Sequence, residues 1–412
     1  MQTSERTAIW VAFIGVLALA LIVFFVVRAG RLPSRSGTES PSGIPRESAQ
    51  PTVLDDRTTW PMFGGGPGLL GRASTTLGDS LAFLWRFKTN AEVKSSAAIY
   101  EGRVFIGSSD GHVYAINLQD GTKLWSYATE DAVEAAPCVV EGRVYVGSSD
   151  NCLYALDAAT GDLEWKYETE GEILGAANWT RSPDGQVLWV LVGSYDNRVH
   201  CVNGATGKAV WTYETQNYVN GSPALGDGKC AFGGCDAFIH VISVADGTKL
   251  TEIDGGSYIA ASGAFAEGQV YIGNYDNVFI RADATKGEIV WRYTESDAPF
   301  FSSPAVTDDL VIVGGRDALV HALRRDNGDR VWTFKTLGEV DSSPAVCGDK
   351  VIVGSSDGRL YMLRLADGTE VWSYEIGQPI ISSPAVAQGT VVVGCDDGYV
   401  YAFGSVGGTP AQ

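Results

Sequence analysis

The sequence has few of the residues that build metal sites and disulfide frameworks. It contains four histidines and seven cysteines in 412 residues. No CxxC pair and no adjacent cysteines occur, so the pattern predicts no zinc site. The cysteine number is odd and no spacing repeats, which argues against paired disulfides and favours free thiols. The seven are Cys138, Cys152, Cys201, Cys230, Cys235, Cys347 and Cys395.

Positive charge is also scarce. Lysine and arginine total 30 against 49 aspartates and glutamates, for a formal net charge of −19. An acidic body repels phosphate backbones, so we do not expect nucleic acid as a partner. The glycine-rich stretch GGGPGLLGR (64–72) lacks the Gly-Lys-Ser/Thr ending of a phosphate-binding loop. These absences argue against nucleotide- and nucleic-acid-binding classes.

One long apolar run lies near the N-terminus. Residues 8–27 read AIWVAFIGVLALALIVFFVV without a charge, and a helix of that length spans the roughly 30 Å of a hydrocarbon core. Arg28 follows directly, so we predict an uncleaved transmembrane anchor after a short tail, residues 1–7. Residues 28–58 are rich in Ser, Pro, Gly and Arg without periodicity, and we expect a flexible linker.

The charges around this run leave the membrane orientation open. Arg28, Arg31 and Arg35 follow the run, whereas Arg6 before it is offset by Glu5. Taken alone, the positive-inside rule would keep the C-terminal domain in the cytoplasm.

Three markers recur with a period near 40 residues. Tryptophans separated by 40, 40, 46, 80, 41 and 40 residues are Trp85, Trp125, Trp165, Trp211, Trp291, Trp332 and Trp372, with Thr251 where one is skipped. A glycine precedes the tryptophan position by four residues at Gly121, Gly161, Gly207, Gly247, Gly287, Gly328, Gly368 and Gly408. An aspartate ends VGSSD-like stretches at Asp110, Asp150, Asp196, Asp236, Asp276, Asp317, Asp357 and Asp397. Such a period, built from strands, predicts a propeller.

One unit, residues 342–376, shows the plan of a blade. SSPAV, KVIVG, GRLYMLRL and EVWSYEI read as four strands separated by turn-rich links. The last unit stops before its fourth strand, while LAFLWRFKT (81–89) is a fourth strand without a blade. We therefore predict an all-β, eight-bladed propeller over 59–412, closed by the N-terminal strand.

The repeats resemble the pyrroloquinoline-quinone-like (PQQ-like) β-propeller family, whose tryptophan-docking motif is A-x-D-x-x-T-G-x-x-x-W. The residues that match every fixed position are Ala155, Asp157, Thr160, Gly161 and Trp165. WPMFGGGPGLLG (60–71) is also similar to that family's N-terminal W-P-x-F segment. The resemblance covers about residues 59–412 and implies that the recurring tryptophans are structural docking residues.

The resemblance implies two functional classes. Quinone-dependent dehydrogenases of this family use PQQ and usually Ca²⁺, and many carry adjacent cysteines that this chain lacks. The outer-membrane assembly lipoproteins are closer in size and do no known chemistry, but they carry a lipidated cysteine instead of a spanning helix. We predict no cofactor, with PQQ and calcium entering only under the enzyme alternative.

The histidines and marker aspartates have structural interpretations. His200, His240 and His321 each follow a marker aspartate by four residues. Other blades have tyrosine there, at Tyr114, Tyr154, Tyr361 and Tyr401. We therefore interpret these histidines as repeated third-strand aromatics rather than metal ligands, and predict no metal site. The marker aspartates are expected to accept hydrogen bonds from turn N–H groups rather than form a carboxylate ring.

Two aligned positions in the links from fourth to first strands vary from blade to blade. The position before SSP holds Lys94, Glu134, Leu174, Asn220, Ala260, Phe301, Asp341 and Ile381. The position two residues earlier holds Glu92, Ala132, Glu172, Tyr218, Tyr258, Pro299, Glu339 and Pro379. They are either neutral loops or a binding face of acids and aromatics. The candidate partner or ligand residues are Lys94, Glu134, Glu172, Tyr218, Asn220, Tyr258, Phe301, Glu339 and Asp341.

The 46-residue interval reflects an insertion near RSPDGQ (181–186). It falls between a first and a second strand, on the face opposite the variable links. Its simplest interpretation is a longer hairpin loop.

Three functions remain open. The first is a membrane-anchored, non-catalytic scaffold that binds protein partners at or near a membrane. The second is a sensor of a small molecule or glycan, and the third is a PQQ-dependent oxidoreductase. No nucleophile–base pair is recognisable, so we assign no catalytic residues. We favour an extracytoplasmic, periplasmic-side propeller because the resemblance implies export, although the arginines favour the cytoplasm.

Overall fold

In the computed structural model, residues 58–405 are described and form eight antiparallel sheets of four strands, one with an added parallel strand. The predicted eight-bladed β-propeller is confirmed. The predicted tail, anchor and linker, apart from Thr58, lie outside the described residues. Within residues 58–405, none of the helices has the length and apolar content needed to cross a bilayer. The helix in this part of the chain is a short 3-10 turn, Phe63–Gly65.

Two strands precede the first complete blade, and the next sixteen form blades 1 to 4. The early strands are β1 (Arg72–Ala73) and β2 (Leu81–Lys88). Blade 1 contains β3 (Ala98–Tyr100), β4 (Arg103–Ser108), β5 (His112–Asn117) and β6 (Lys123–Ala128). Blade 2 contains β7 (Cys138–Val140), β8 (Arg143–Gly147), β9 (Cys152–Asp157) and β10 (Leu163–Glu168). Blade 3 contains β11 (Asn178–Arg181), β12 (Leu188–Ser194), β13 (Arg198–Asn203) and β14 (Ala209–Glu214). Blade 4 contains β15 (Ala224–Gly226), β16 (Lys229–Gly233), β17 (Phe238–Ser243) and β18 (Lys249–Asp254).

The remaining strands form blades 5 to 8. Blade 5 contains β19 (Ala264–Ala266), β20 (Gln269–Gly273), β21 (Phe279–Asp283) and β22 (Glu288–Tyr293). Blade 6 contains β23 (Ala305–Val306), β24 (Leu310–Gly314), β25 (Leu319–Arg324) and β26 (Arg330–Lys335). Blade 7 contains β27 (Ala345–Cys347), β28 (Lys350–Gly354), β29 (Arg359–Arg364) and β30 (Glu370–Glu375), and β1 pairs with β27. Blade 8 contains β31 (Ala385–Ala387), β32 (Thr390–Cys395) and β33 (Tyr399–Ser405), with β2 as its fourth strand.

Burial along each strand follows its place in the blade. The second strands are almost continuously apolar and buried, as in β28, because neighbouring blades cover both of their faces. The outer strands keep a period of two, and β10 alternates exposed and half-buried residues. The core is therefore a ring of packed layers between blades.

The N-terminal strand closes the ring, as the sequence predicts. β2 pairs antiparallel with β33, from Leu81 opposite Ser405 to Lys88 opposite Tyr399. A hydrogen bond between inner serines also links blades 8 and 1, since Ser382 Oγ donates to the Ser95 carbonyl at 2.9 Å. The same bond links blade 7 to blade 8, from Ser342 to Ser382. The ring is therefore closed by the pairing of β2 with β33 and by the serine hydrogen bonds between neighbouring blades.

Tryptophan and glycine form the seams between blades. A Cβ on Gly161 would lie 2.6 Å from Cδ2 of Trp125, and Gly161 has a φ of +79°. The indole N–H of Trp125 donates to the Ala158 carbonyl at 3.1 Å. The tryptophans that pack in this way against the glycine of the next blade are Trp85, Trp125, Trp165, Trp211, Trp291 and Trp332. The glycine facing Trp372 would be Gly408, which lies outside the described residues.

The seam between blades 4 and 5 differs from these six. Thr251 stands at the tryptophan position, and its nearest atom is 3.4 Å from a Cβ built on Gly287. Its hydroxyl donates to the Ala284 carbonyl at 3.2 Å, as the indole N–H does elsewhere. The threonine therefore keeps the hydrogen bond of this seam without the aromatic ring.

The segment 58–73 lines the inner edge of the ring, which sequence periodicity could not predict. Its carbonyl groups accept N–H groups from successive innermost strands. These bonds run from Ile99 to Trp60, Val139 to Pro61, Leu225 to Pro67, Phe265 to Gly68, Val306 to Leu70 and Val346 to Gly71, at 2.7–2.9 Å. Blade 3 uses a side chain instead, because Asn178 Nδ2 donates to the Pro67 carbonyl. The segment satisfies inner-strand N–H groups that would otherwise be buried without partners.

Candidate functional site

The variable link positions lie beside a third position on the same face. In every blade, the residue before the marker aspartate donates its N–H to the carbonyl of the earlier link position, at 2.9–3.1 Å. These residues are Ser109, Ser149, Tyr195, Cys235, Tyr275, Arg316, Ser356 and Asp396. We call the surface formed by the two link positions and this third position the link face. The backbone pattern is uniform around the ring, whereas the side chains it presents are not.

Aromatic side chains occupy the link face of blades 3 to 6. Tyr195 and Tyr218 are stacked, with ring centroids 4.7 Å apart and planes 5° from parallel. The hydroxyl of Tyr195 donates to Asn220 Oδ1 at 3.0 Å, which fixes this pair between blades 3 and 4. Tyr258 and Tyr275 are 58% and 49% exposed. Exposed tyrosine rings on a rigid scaffold provide contact area for a partner, and they lose little conformational freedom when the partner binds.

A charged cluster follows in blades 6 and 7. The Arg316 guanidinium lies over the ring of Phe301 at 3.7 Å and makes two bonds to Asp341, at 2.9 and 2.7 Å. Glu339 lies 3.5 Å from the same guanidinium. Phe301 also packs edge-on against Tyr275 at 5.3 Å. Arg316 therefore joins the aromatic part of the link face to its acidic part.

The acidic part continues through blades 8, 1 and 2. Lys94 Nζ lies 3.0 Å from Glu92 and 3.2 Å from Glu134 of the next blade. The hydrogen bond that Lys94 donates to Glu92 is the main cause of the raised pKa of Lys94. Asp396 has a carboxylate oxygen that is buried without a hydrogen-bond partner among residues 58–405. Burial, followed by the charge of Glu92, raises the pKa of Asp396.

The structure brings most of the predicted residues into contact with other link-face residues at three places. Lys94 meets Glu134, Asn220 meets Tyr195, and Phe301, Glu339 and Asp341 meet around Arg316. Glu172 is exposed and Tyr258 projects outward, with no side-chain hydrogen bond in the described part of the chain.

The sequence reasoning missed Tyr195, Tyr275, Arg316 and Asp396. All four stand immediately before a marker aspartate. The residue type at this aligned position varies among Ser, Tyr, Cys, Arg and Asp, and that variation could have identified the position.

The marker aspartates and the histidines form structural relays below the link face. Asp317 accepts the N–H of Leu319 and lies 3.0 Å from His321 Nε2, while His321 Nδ1 lies 3.1 Å from the Tyr293 hydroxyl. In blade 7 the Tyr361 hydroxyl contacts Asp357 directly at 2.7 Å. The histidines thus occupy the tyrosine position, as their spacing indicated.

Blade 5 has no such relay. Its marker Asp276 is exposed, and Asn274 accepts the turn N–H groups of Asp276 and Val278 instead. The expectation that every marker aspartate binds turn N–H groups is therefore wrong for Asp276. The physical reason is that position 280 is isoleucine, which offers no polar group to a buried carboxylate.

A small cavity lies at the inner edge of the ring, beside segment 58–73. Serines and prolines of the inner strands in blades 1, 6, 7 and 8 line this cavity together with Trp60, Phe63 and Leu69. The space open to the centre of a water-sized sphere is about 10 Å³, enough for about one water molecule. A ligand larger than water therefore does not fit into this cavity.

The described residues offer few of the groups that the quinone and Ca²⁺ of the enzyme alternative would need. Within residues 58–405, no group of three or more His, Cys, Asp or Glu side chains is arranged to hold a metal ion. Asp341 and Glu134 of the link face are already paired with Arg316 and Lys94, and the unpartnered oxygen of Asp396 would supply only a single ligand. The cavity beside segment 58–73 is also far smaller than a quinone.

Comparisons with known proteins identify relatives of this fold. A family model described as outer membrane protein assembly factor BamB matches residues 82–188, 183–257 and 236–411, which is more than half of the chain. A search of curated protein sequences gave no match.

Among solved structures, BamB from Moraxella catarrhalis is 19% identical, with a TM-score of 0.65 over 79% of this chain and 100% of that one. The computationally designed Ika8 protein is 18% identical, with a TM-score of 0.69 over 80% and 98%. The quinohemoprotein alcohol dehydrogenase ADHIIG from Pseudomonas putida HK5 is 13% identical, with a TM-score of 0.73 over 87% and 81%. At these identities the structural similarity shows the fold alone.

Proposed function

Because the chain belongs to the PQQ-like propeller family whose model is described as outer membrane protein assembly factor BamB, we propose that it is a non-catalytic scaffold that binds a protein partner through its link face. The observation that carries this proposal is the contrast within each blade. A uniform set of backbone hydrogen bonds presents side chains that differ around the ring. Exposed tyrosines beside a bidentate arginine–aspartate pair are the composition of a protein-binding surface.

The geometry favours this role over oxidoreductase chemistry. A quinone enzyme needs a pocket for the cofactor and unpaired oxygens for its metal. The cavity beside segment 58–73 holds about one water, and Asp341 and Glu134 are engaged by cations. A dehydrogenase would be recognised by dye reduction when purified protein is mixed with PQQ, Ca²⁺ and an alcohol, and we expect none.

We further propose that residues 8–27 anchor the chain in a membrane and that the propeller works on the extracytoplasmic side, next to a membrane-associated partner. The family membership supports the exported side, whereas the arginines after residue 27 oppose it. A reporter enzyme that is active only outside the cytoplasm, fused after Gln412, should be active. Activity of a cytoplasm-specific reporter at the same position would contradict this orientation.

Site-specific crosslinking in cells that express the full chain tests the scaffold role. A photoreactive amino acid replaces Tyr258 of the link face or, as the matched control, Leu250 on the outer strand β18, which is 46% exposed. We expect a discrete protein adduct from position 258 and none from position 250. Equal adducts from both positions, or none from position 258, would contradict a partner on the link face.

A further inference from the structure

The C-terminal end of β11 in blade 3, with Trp179, Thr180 and Arg181, forms one wall of a cleft on the face opposite the link face. Residues 181–186 extend the hairpin between β11 and β12. Two hydrogen bonds close the turn. The Ser182 N–H donates to the Val187 carbonyl at 2.8 Å, and the Val187 N–H donates to Ser182 Oγ at 2.9 Å. The facing wall is the shorter hairpin between β15 and β16 of blade 4. The cleft lies between these two hairpins, and Arg181 is the residue of the 181–186 stretch that lines it.

This cleft has a volume of about 360 Å³. Pro67 of segment 58–73 and the exposed edges of the largely buried Leu225 and Val244 side chains supply its apolar surface. Trp179 adds a half-buried indole ring. A volume of this order suits a small molecule, and it contrasts with the cavity at the inner edge of the ring, which has room for about one water molecule.

The polar groups in the cleft are mainly hydrogen-bond donors that the protein leaves unused. Lys229 is half-buried, yet within residues 58–405 its ammonium has no ion pair or hydrogen bond. The Trp179 indole N–H likewise has no partner in that part of the chain, whereas docking tryptophans such as Trp125 donate theirs to a carbonyl. Arg181 pairs with Glu141 through one nitrogen and keeps its other N–H groups.

We propose that this cleft binds a small aromatic anion, a flat apolar body that carries a carboxylate or sulfonate. The ring packs among Trp179, Leu225 and Val244, and the anionic group accepts hydrogen bonds from Lys229 and Arg181. One carboxylate, Asp227, also borders the cleft and is exposed. It repels an anion and therefore limits the affinity. The site lies away from the link face and does not depend on the scaffold role.

The test uses the fluorescent anion 8-anilino-1-naphthalenesulfonate and the full chain in detergent. We expect Lys229→Gln to weaken binding by about tenfold, since it removes a charge-assisted bond. Lys123→Gln on the outer strand β6 is the matched control and should leave the affinity unchanged. Asp227→Asn should tighten binding by a few-fold because it removes the repulsive charge.

A second ligand separates this site from general surface adsorption. N-phenyl-1-naphthylamine has the rings without the sulfonate, so its affinity should respond to Trp179→Leu but not to Lys229→Gln. The proposal is overturned if the sulfonate does not bind, or if Lys229→Gln and Lys123→Gln bind it equally. Lys229→Gln changes a side chain outside the core and is expected to fold, so the result does not depend on the Trp179 variant.

Discussion

The seams between blades and the link face are built from the same repeats, but they differ in sequence variation. Side chains at the seams are nearly the same in every blade, whereas those on the link face differ. Six described seams contain the same tryptophan, glycine and carbonyl contact. The link face keeps the same backbone bond in all eight blades, yet its side chains range from serine to tyrosine, arginine and aspartate. The fold therefore restricts the side chain at the seams, where Thr251 is the one exception among the described residues, but restricts only the backbone at the link face. Positions that the fold leaves free are the ones available for recognition.

The largest effect is expected where a seam glycine gains a side chain. Gly161→Ala places a Cβ 2.6 Å from the Trp125 ring at a φ of +79°, and should lower the free energy of unfolding by about 3 kcal/mol. Gly142→Ala is the matched control in the same blade, because its φ is +74° and no atom lies within 4 Å of the added Cβ. Gly142→Ala should lower the free energy of unfolding by about 1 kcal/mol, from backbone strain alone. Equal losses in urea denaturation would show that the ring contact does not restrict position 161.

A slightly smaller effect is expected when seam types are exchanged. Trp211→Thr gives the seam of blades 3 and 4 the composition found between blades 4 and 5, and should cost about 2.5 kcal/mol from lost ring burial. Thr251→Trp is the reverse change and should raise the melting temperature, because Gly287 already has the conformation that faces a tryptophan elsewhere. A melting temperature that falls for Thr251→Trp would show that blade 5 has no space for the ring.

The Asp317–His321 relay in blade 6 should contribute less to the free energy of unfolding than the seams do, and its contribution should depend on pH. Burial alone would raise the pKa of Asp317, but the hydrogen bond and charge of His321 hold that pKa below its usual value. A carboxyl whose pKa is lower when folded stabilises the fold above its unfolded pKa of about 3.9, and this contribution is lost as the pH falls through the folded pKa. His321→Ala should therefore lower the free energy of unfolding by about 1.5 kcal/mol near neutral pH. Between neutral and acidic pH, this variant should lose less stability than the wild type does.

His321→Tyr is the control for this relay. It introduces the residue that contacts the marker aspartate in blade 7, so it should retain most of the stability at neutral pH. Denaturation curves measured between neutral pH and about pH 3 give the comparison. If the wild type and both variants lose stability identically in acid, the interaction of His321 with Asp317 has no role in folding.

The smallest effect on folding is expected at the link face. Tyr258 is 58% exposed and makes no side-chain hydrogen bond in the described part of the chain, so Tyr258→Ala should change the free energy of unfolding by less than about 0.5 kcal/mol. Thermal denaturation measures this directly. A loss comparable to that of Trp211→Thr would mean that the link face is a structural surface.

The fold was predictable because its requirements recur in every blade. Gly161 and its counterparts are needed wherever a tryptophan lies against a turn, so the same signal appears many times in one sequence. Segment 58–73 occurs once, and its role depends on the inner edge of a ring that exists only after folding. Asn274 in blade 5 was missed for a related reason, since it substitutes for an interaction that one blade alone has lost.

The link face was predictable in part. Variation between aligned repeats indicated the two link positions, but the third position could be placed beside them only through the backbone bonds from residues such as Tyr275. The stacking of Tyr195 on Tyr218 and the pairing of Arg316 with Asp341 join positions that are distant in sequence. Side-chain contacts of this kind do not follow from a repeat alignment.

The affinity of the crosslinked partner for two double variants of the full chain tests the central claim most directly. Tyr218→Ala combined with Tyr258→Ala removes two exposed rings from the link face, while Leu163→Ala combined with Leu250→Ala removes two outer-strand side chains of similar exposure. We predict that the tyrosine variant binds the partner more than about tenfold more weakly, while its melting temperature stays within about 4 °C of the wild type because one stacked ring is lost. Equal affinities for the two double variants would contradict recognition through the link face.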